Sequence, residues 1–210
     1  MTSAAPGRAY GYRDAGPSHS QTYLNSALGQ IIAGRAWPPP ARALDYGCGN
    51  GWFANWLATR GFETTGVDIS PSGIEVARRN FPSVAFTTDV SSESLARQGP
   101  FDLVTCIEVI AHCFVPSDEL GRIREALKPG GLLVLSSPYH GYLKFLALAA
   151  TGRMEQHLDT SWAGAYVHHF TPRSITKLLE DNGFADVVII QAGRVPALAK
   201  SMIVTCTRPT

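Results

Sequence analysis

The sequence has 210 residues, of which 45% are hydrophobic, and its 18 basic and 17 acidic side chains give a formal net charge of +1. A chain of this length and apolar content can bury the core of one globular domain. Because charges of both signs are interspersed, a nucleic-acid partner is not expected, and no apolar run is long enough for a membrane span. The four cysteines lack metal-site spacing and the first residues lack a signal-peptide pattern, so we expect a cytoplasmic protein with reduced thiols.

The predicted elements begin with a helix over 20–32, in which apolar residues recur at helical spacing. Three prolines at 38–40 separate it from an alternation of short apolar runs and helical patterns, which is typical of a parallel sheet covered on both faces. The predicted strands are 43–46, 63–67, 84–87, 101–106, 132–136, 185–191 and 201–207. The predicted helices among them are 52–60, one beginning at residue 71, 118–127 and 174–182.

This order of elements predicts an α/β fold of the Rossmann-like, doubly wound type. The sheet is expected to have seven strands, mostly parallel, with an antiparallel last strand, because the last two strands are joined by only a few residues. Residues 1–40 are expected to form an N-terminal helical cap and residues 41–210 the main domain. Within the main domain, residues 139–170 are expected to form a lid inserted after strand five.

The first predicted strand ends in a glycine-rich turn, Asp45-Tyr46-Gly47-Cys48-Gly49-Asn50-Gly51. Glycines allow positive φ and a close approach of the backbone to a ligand, and the next helix would direct its N-terminus at the turn. A dinucleotide site would have Gly or Ala where this chain has Trp52, so an NAD site is disfavoured.

Two acidic residues follow the next two strands at the edge where open α/β sheets bind ligands. Asp68 is placed to accept hydrogen bonds from both hydroxyls of a ribose, and Asp89 to accept one from an adenine amine. No lysine of the phosphate-binding loop type accompanies them. The pattern therefore indicates an adenosine ligand without a phosphate chain.

Together these motifs resemble the class I S-adenosylmethionine-dependent methyltransferases, and in particular the small ubiquinone and polyprenyl-phenol O-methyltransferase group. The resemblance also includes 101–110, 127–136 and His169-Phe170-Thr171-Pro172. It implies S-adenosyl-L-methionine as cofactor, with Gly47 and Gly49 along its methionine part and Asp68 on its ribose. The adenine is then expected between Ile69 and Val90, with its amine on Asp89. The further expected cofactor residues are Asp45, Asn50 and Ile107.

Methyl transfer to oxygen requires removal of a proton, for which histidine has a suitable pKa. His112 and His140 follow strands four and five and are expected to open onto the ligand edge, and Glu108 is a third candidate catalytic residue. In the resembling group a second glutamate stands where this chain has Ala111, so no metal site is expected.

The segment 141–162 is rich in aromatic and aliphatic residues and is expected to cover an aromatic or lipophilic acceptor. The alternative is a helix packed on the core or in a dimer contact. The residues expected to line the acceptor site are His19, Tyr23, Tyr139, Tyr142, Trp162, His168 and His169. Because consecutive residues of an extended segment face opposite sides, at most one of the last two would do so.

The expected function is transfer of a methyl group to a hydroxyl of a small phenolic or cyclic compound. Methylation of a sugar hydroxyl or of a small-molecule amine is the alternative reaction, with a dehydrogenase more distant. A non-catalytic protein that binds S-adenosylmethionine is the alternative from another class. We expect a monomer or homodimer, and the identity of the acceptor is left open.

Overall fold

The computed structural model describes residue 12 and residues 14–158, 165–195 and 198–210. Its helices are α1 (His19–Ala33), α2 (Trp52–Ala58), α3 (Pro71–Asn80), α4 (Ser92–Gln98), α5 (Pro116–Ala126), α6 (Tyr142–Ala150), α7 (Met154–His157) and α8 (Pro172–Asp181). Its strands are β1 (Arg42–Tyr46), β2 (Glu63–Val67), β3 (Ala85–Thr87), β4 (Phe101–Ile107), β5 (Leu127–Pro138), β6 (Ala185–Ala192) and β7 (Ser201–Thr207). A short 3₁₀ turn, Ile110–His112, follows β4.

The strands form one seven-stranded sheet in the order β3-β2-β1-β4-β5-β7-β6. Strands β1 to β5 pair in parallel, and β7 pairs antiparallel with both β5 and β6. The predicted fold class is therefore confirmed. The loops after β1 to β5 all leave from the same edge of the sheet, which is the ligand edge of this architecture.

Local sequence signals explain where several helices begin. The Ser70 hydroxyl accepts the amide hydrogen of Gly73, and Pro71 occupies the first helical position of α3. In α1, Ser18 and Gln21 form a reciprocal capping box, and Thr171 with Ser174 does the same in α8. These caps fix the helix starts without tertiary help.

Helices cover both faces of the sheet. On one face, buried residues of β4, β5 and β7 pack with α5 and α8, including Leu120 and Ile175. On the other face, α1 contributes Leu24, Leu28 and Ile32 to a second cluster with α2. Helix α1 is thus a layer of the fold that also reaches the ligand edge through Tyr23, and the division of the chain into a 1–40 cap and a main domain stays a prediction.

The structure differs from the sequence prediction mainly at the start of β5. That strand begins at Leu127, where the sequence predicts the last residue of a helix, and not at residue 132. The Lys128 ammonium pairs with Asp102 at 2.7 Å, and Gly130 takes a φ of 72° while its amide binds the Arg208 carbonyl. Helices α4 and α7 are also absent from the predicted elements, and α6 lies in the segment for which a helix was the alternative. Within the described ranges, no helix is both long and apolar enough to cross a membrane.

Candidate active site

The glycine-rich turn after β1 has no room for side chains at Gly47 and Gly49, and we call its backbone the glycine cradle. Gly47 and Gly49 have φ values of 79° and 53°. A Cβ atom added to Gly47 would lie 2.3 Å from a Val109 methyl group, and one added to Gly49 would lie 2.6 Å from the Tyr12 hydroxyl. Both positions therefore require glycine, for φ and for space.

Asp68 ties this turn to the end of β2. Its Oδ2 accepts the Gly49 amide hydrogen and its Oδ1 accepts that of Ser70, each at 2.8 Å. Burial raises the pKa of the Asp68 carboxyl, and these two backbone hydrogen bonds oppose the rise. A carboxylate offers about four lone-pair sites, so the two oxygens retain capacity for further donors.

The residues that follow β2 and β3 lie at the same edge of the sheet as the glycine turn. Ile69, next to the buried Asp68, is 79% exposed, so its side chain is open to a ligand at this edge. Asp89 accepts the Ser91 amide hydrogen at 3.1 Å, and hydrogen bonds from Ser91 lower the pKa of the Asp89 carboxyl. Val90 is partly buried against the core. The structure thus brings Asp68, Ile69, Asp89 and Val90 to one edge.

Asp45 lies behind the turn and Asn50 lies on it. The Thr105 hydroxyl donates to Asp45 Oδ1 at 2.8 Å, and burial raises the pKa of this carboxyl to about 7. The Asn50 side-chain amide donates to the carbonyls of Asp14 and Gly16 at 2.9 and 2.8 Å. Asn50 therefore binds the segment before α1 to the glycine turn, a contact that the sequence did not indicate.

Glu108, directly after Ile107 at the end of β4, has a φ of 58°, a value that a non-glycine residue rarely adopts. Its amide donates to the Ser136 hydroxyl at 3.0 Å, and that hydroxyl donates to Glu108 Oε1 at 2.8 Å. Ser201 is a second hydrogen-bonding partner of the carboxyl, whose pKa is raised by burial. The hydroxyls of Ser201 and Tyr23 lie 2.9 Å apart, so a polar network joins β4, β5, β7 and α1.

Sequence reasoning named Glu108 and Tyr23 but missed Ser136 and Ser201. Both serines lie in strands, and nothing in a strand pattern distinguishes a serine that binds a carboxyl from one that faces the sheet interior. The left-handed backbone conformation of Glu108 is a second indication of a functional site, because such strained conformations accumulate at functional sites.

His112 lies in the 3₁₀ turn after β4, close to Glu108 in the chain. Its Nδ1 lies 3.2 Å from the Ala165 carbonyl oxygen, and its ring centroid lies 4.7 Å from that of Tyr166. Burial lowers the pKa of the imidazole. These contacts join the His112 ring to the segment that precedes α8. The catalytic role of His112 stays a prediction.

His140 differs from the expectation that it opens onto the ligand edge, because its residue surface is only 1% exposed. Its ring lies 5.4 Å from His157 and 4.9 Å from His169, and Nδ1 lies 3.2 Å from the Phe170 carbonyl oxygen. Burial, followed by the Lys144 charge, lowers the imidazole pKa to about 4. His140 is therefore a weak base in this environment.

The expected acceptor-site residues differ in exposure and in their neighbours, and their grouping into one site stays a prediction. His19 contacts Tyr23 edge to face at 5.9 Å, whereas Tyr142 is 79% exposed and Tyr139 is buried. His168 stacks on Phe170, whereas His169 contacts His140 edge to face, so the two consecutive rings do have different neighbours. Trp162 lies outside the described residues.

Helix α6 begins the expected lid and contains no fully buried residue. Its role as a lid, and the alternative of a helix packed on the core or in a dimer contact, both stay predictions. Its exposed apolar side chains include Leu143 and Leu146. In the ranges that the structure describes, no three histidine, cysteine or acidic side chains are grouped as metal ligands would be.

A family model described as a methyltransferase domain matches residues 19–189. The chain belongs to the methyltransferase-domain family. The match extends from α1 through most of β6 and so includes the glycine turn, Asp68, Asp89 and Glu108.

Curated relatives of this methyltransferase domain match a little over half of it or less. The ubiquinone biosynthesis O-methyltransferase of Xanthomonas axonopodis pv. citri (strain 306) is 35% identical over 127 residues, which are 58% of this chain and 53% of that protein. The protein of the same name from Dechloromonas aromatica (strain RCB) is 38% identical over 101 residues, or 46% of this chain and 44% of that one. The methyltransferase domain thus spans about half the length of these relatives.

Solved structures with the same fold include magnesium protoporphyrin IX methyltransferase from Synechocystis PCC 6803 with bound SAH, at a TM-score of 0.66 and 23% identity. That alignment covers 90% of this chain and 83% of the other. The CurJ carbon methyltransferase gives a TM-score of 0.64 at 19% identity, covering 89% of this chain and 54% of the other. At these identities the likeness establishes the Rossmann-like methyltransferase fold alone.

Proposed function

We propose that this methyltransferase domain binds S-adenosyl-L-methionine and transfers its methyl group to a hydroxyl of a small phenolic or cyclic molecule. The observation that carries the proposal is the Asp68 carboxylate, which is fixed by two backbone amides beside a glycine cradle and retains lone pairs for a diol. Relatives named as O-methyltransferases support oxygen as the atom methylated.

The residues at the sheet edge fit the parts of this cofactor. Asp68 would accept from the ribose hydroxyls, and the exposed Ile69 with Val90 would cover the faces of the adenine. Asp89 would accept from the adenine amine, and the Gly47–Gly49 backbone would border the methionine part. When bound, the cofactor supplies an electrophilic methyl group on a sulfonium, which requires no further activation.

The task left to the protein is to orient the acceptor, exclude water and take up its proton. Glu108 is suited to hold the acceptor hydroxyl, because its backbone is fixed by Ser136 and its carboxyl stays hydrogen-bonded within the network. Burial raises the Glu108 pKa, which makes the carboxylate a stronger base than an exposed glutamate. His112 and His140 remain the two predicted histidine bases, with pKa values lowered by burial.

We also propose that the protein acts in the cytoplasm as a monomer or homodimer, without a nucleic-acid partner. The cysteines are free thiols, and Cys48, Cys106 and Cys206 are buried, which suits a reducing compartment.

Calorimetric titration tests the cofactor. S-adenosylmethionine and S-adenosylhomocysteine should bind, and NAD should not, because Trp52 fills the position of the third glycine of a dinucleotide site. Equal affinity for NAD, or failure of both adenosyl ligands to bind the folded protein, would contradict the proposal.

Transfer of a labelled methyl group to a cell extract then identifies the acceptor, on which the candidate bases are compared. Glu108→Gln, His112→Ala and His140→Ala are each measured for kcat, KM and cofactor affinity. Loss of a general base typically lowers kcat by about 10²-fold or more with cofactor affinity little changed. If all three variants keep near-full kcat, proton removal by these residues is wrong, and alignment of an already ionised acceptor is the better account.

A further inference from the structure

Lys144 is a partly buried cation in the first turn of α6, at the mouth of the candidate active site. Its ammonium donates to the Tyr139 carbonyl at 2.7 Å. In the described part of the chain no carboxylate lies within ion-pair distance of it, whereas Lys128 and Lys177 pair with carboxylates at 2.7 and 2.8 Å. An ammonium has three donors, so Lys144 retains two for another partner.

Two further cations lie around the same position. Lys200 Nζ lies 5.0 Å from the centroid of the Tyr23 ring, and the Lys200 carbonyl accepts the Tyr139 amide hydrogen at 3.0 Å. The backbone of Tyr139 therefore links Lys144 to Lys200. The exposed Arg194 adds a repulsive charge that, after burial, lowers the Lys144 pKa.

The acid nearest to this group does not neutralise it. Glu108 interacts with Lys144 through space, but no ion pair joins them in the described residues. Instead the Glu108 carboxyl receives hydrogen bonds from Ser136 and Ser201. Glu108 and Lys144 are thus close enough to interact electrostatically without forming a direct ion pair.

Lys144 also interacts with the imidazoles of His140 and His157. Burial and the Lys144 charge both lower the pKa values of His140 and His157, so these rings stay neutral near pH 7. Among the described residues, the charges that act on the Lys144 pKa are the repulsive Arg194 and the attractive Glu108, and Glu108 forms no ion pair with Lys144. A partly buried ammonium without a counter-ion is unfavourable until a ligand supplies the negative charge.

We propose that Lys144 binds an oxyanion of the acceptor, so that the substrate is an aromatic acid or a similarly acidic hydroxyl compound rather than a neutral alcohol or an amine. This inference rests on the proposed function, because it assigns the acceptor of the same site. A carboxylate between Lys144 and the mouth would give the ammonium a charged hydrogen-bond partner while leaving Glu108 to the hydroxyl that is methylated.

The test uses three single-ring probes of matched size. They are the dihydroxybenzoate protocatechuate and its two analogues with a hydroxymethyl or an aminomethyl group in place of the carboxylate. Each is titrated calorimetrically into the whole protein near neutral pH, with and without S-adenosylhomocysteine. The anion is expected to bind about tenfold or more tightly than the alcohol, with the amine weakest, which is the effect of one charge-assisted contact.

Three variants assign the preference to this side chain. Lys144→Met keeps the length of the side chain and should remove the preference, whereas Lys144→Arg should retain it. Lys177→Met, on the exposed face of α8, is the matched control and should behave as the unmodified protein.

The proposal is overturned if protocatechuate does not bind, if the alcohol binds equally well, or if Lys144→Met keeps the preference. Failure of S-adenosylhomocysteine to bind would instead contradict the proposed function. The charge preference would still be measurable in the protein without that ligand, so the two failures are distinguishable.

Discussion

Asp68→Ala is expected to weaken S-adenosylhomocysteine binding by removing both ribose contacts. A hydrogen bond to a charged group contributes about 1.5–3 kcal/mol, and water replaces part of this in the variant. We therefore expect a loss of about 2–4 kcal/mol, which is about 30- to 700-fold in Kd. Calorimetric titration of the variant and the unmodified protein measures the difference directly.

The same substitution should also loosen the glycine turn, because it leaves the amides of Gly49 and Ser70 without their carboxylate acceptors. If water reaches one of them, about 2 kcal/mol of stability is lost, which lowers the melting temperature by about 4–8 °C in a domain of this size. Asp181→Ala, on the exposed α8 surface, is the control and should change neither quantity.

Asp68→Asn separates the two effects. Its amide oxygen can still accept one backbone hydrogen bond, while the charge that favours the ribose hydroxyls is gone. We expect a smaller loss of stability than in the alanine variant and a similar loss of affinity. A folded Asp68→Ala protein that binds S-adenosylhomocysteine as tightly as the original would refute the ribose contact and the argument that rests on it.

The remaining predictions concern pH, backbone space and metal dependence. The Asp45 pKa rises from 3.8 to about 7 on folding, so the free energy of unfolding should fall as pH rises between these values. Asp45→Asn should lack this pH dependence. Measured by urea unfolding above pH 7, the variant should be more stable than the unmodified protein by a few kcal/mol. Gly47→Ala should unfold at a markedly lower urea concentration because of the Val109 clash, whereas Gly121→Ala, in an open position of α5, should gain about 0.5–1 kcal/mol. Activity should survive a chelator because Ala111 interrupts the acidic cluster; a loss restored by a divalent cation would contradict this.

The sheet and its ligand edge could be predicted from the sequence because each signal is local. A strand that ends in glycines, or in Asp68 before Ser70 and Pro71, specifies both its end and the start of the next helix. The first residues of β5 could not be predicted, because the Lys128 pairing with Asp102 depends on a residue 26 positions away in the chain.

The candidate site was predictable only in part, for a related reason. The position of Glu108 at a sheet edge follows from the predicted end of strand four. Its φ of 58° and the serines that bind it could not be predicted from the sequence. Histidine was expected to supply a base near neutral pH from its ordinary pKa alone. The burial of His140, which lowers that pKa to about 4, comes from packing against residues 157 and 169.

The position of β7 between β5 and β6 affects how the protein is made. β6 precedes β7 in the chain, yet among the strands that the structure describes β6 pairs with β7 alone. During synthesis, β6 therefore emerges before the strand that connects it to the sheet, and the open edge of β5 exposes unpaired backbone groups until residues 201–207 are available. Sheet completion cannot follow the order of synthesis, so the nascent chain passes through a stage at which pairing with another chain competes with folding.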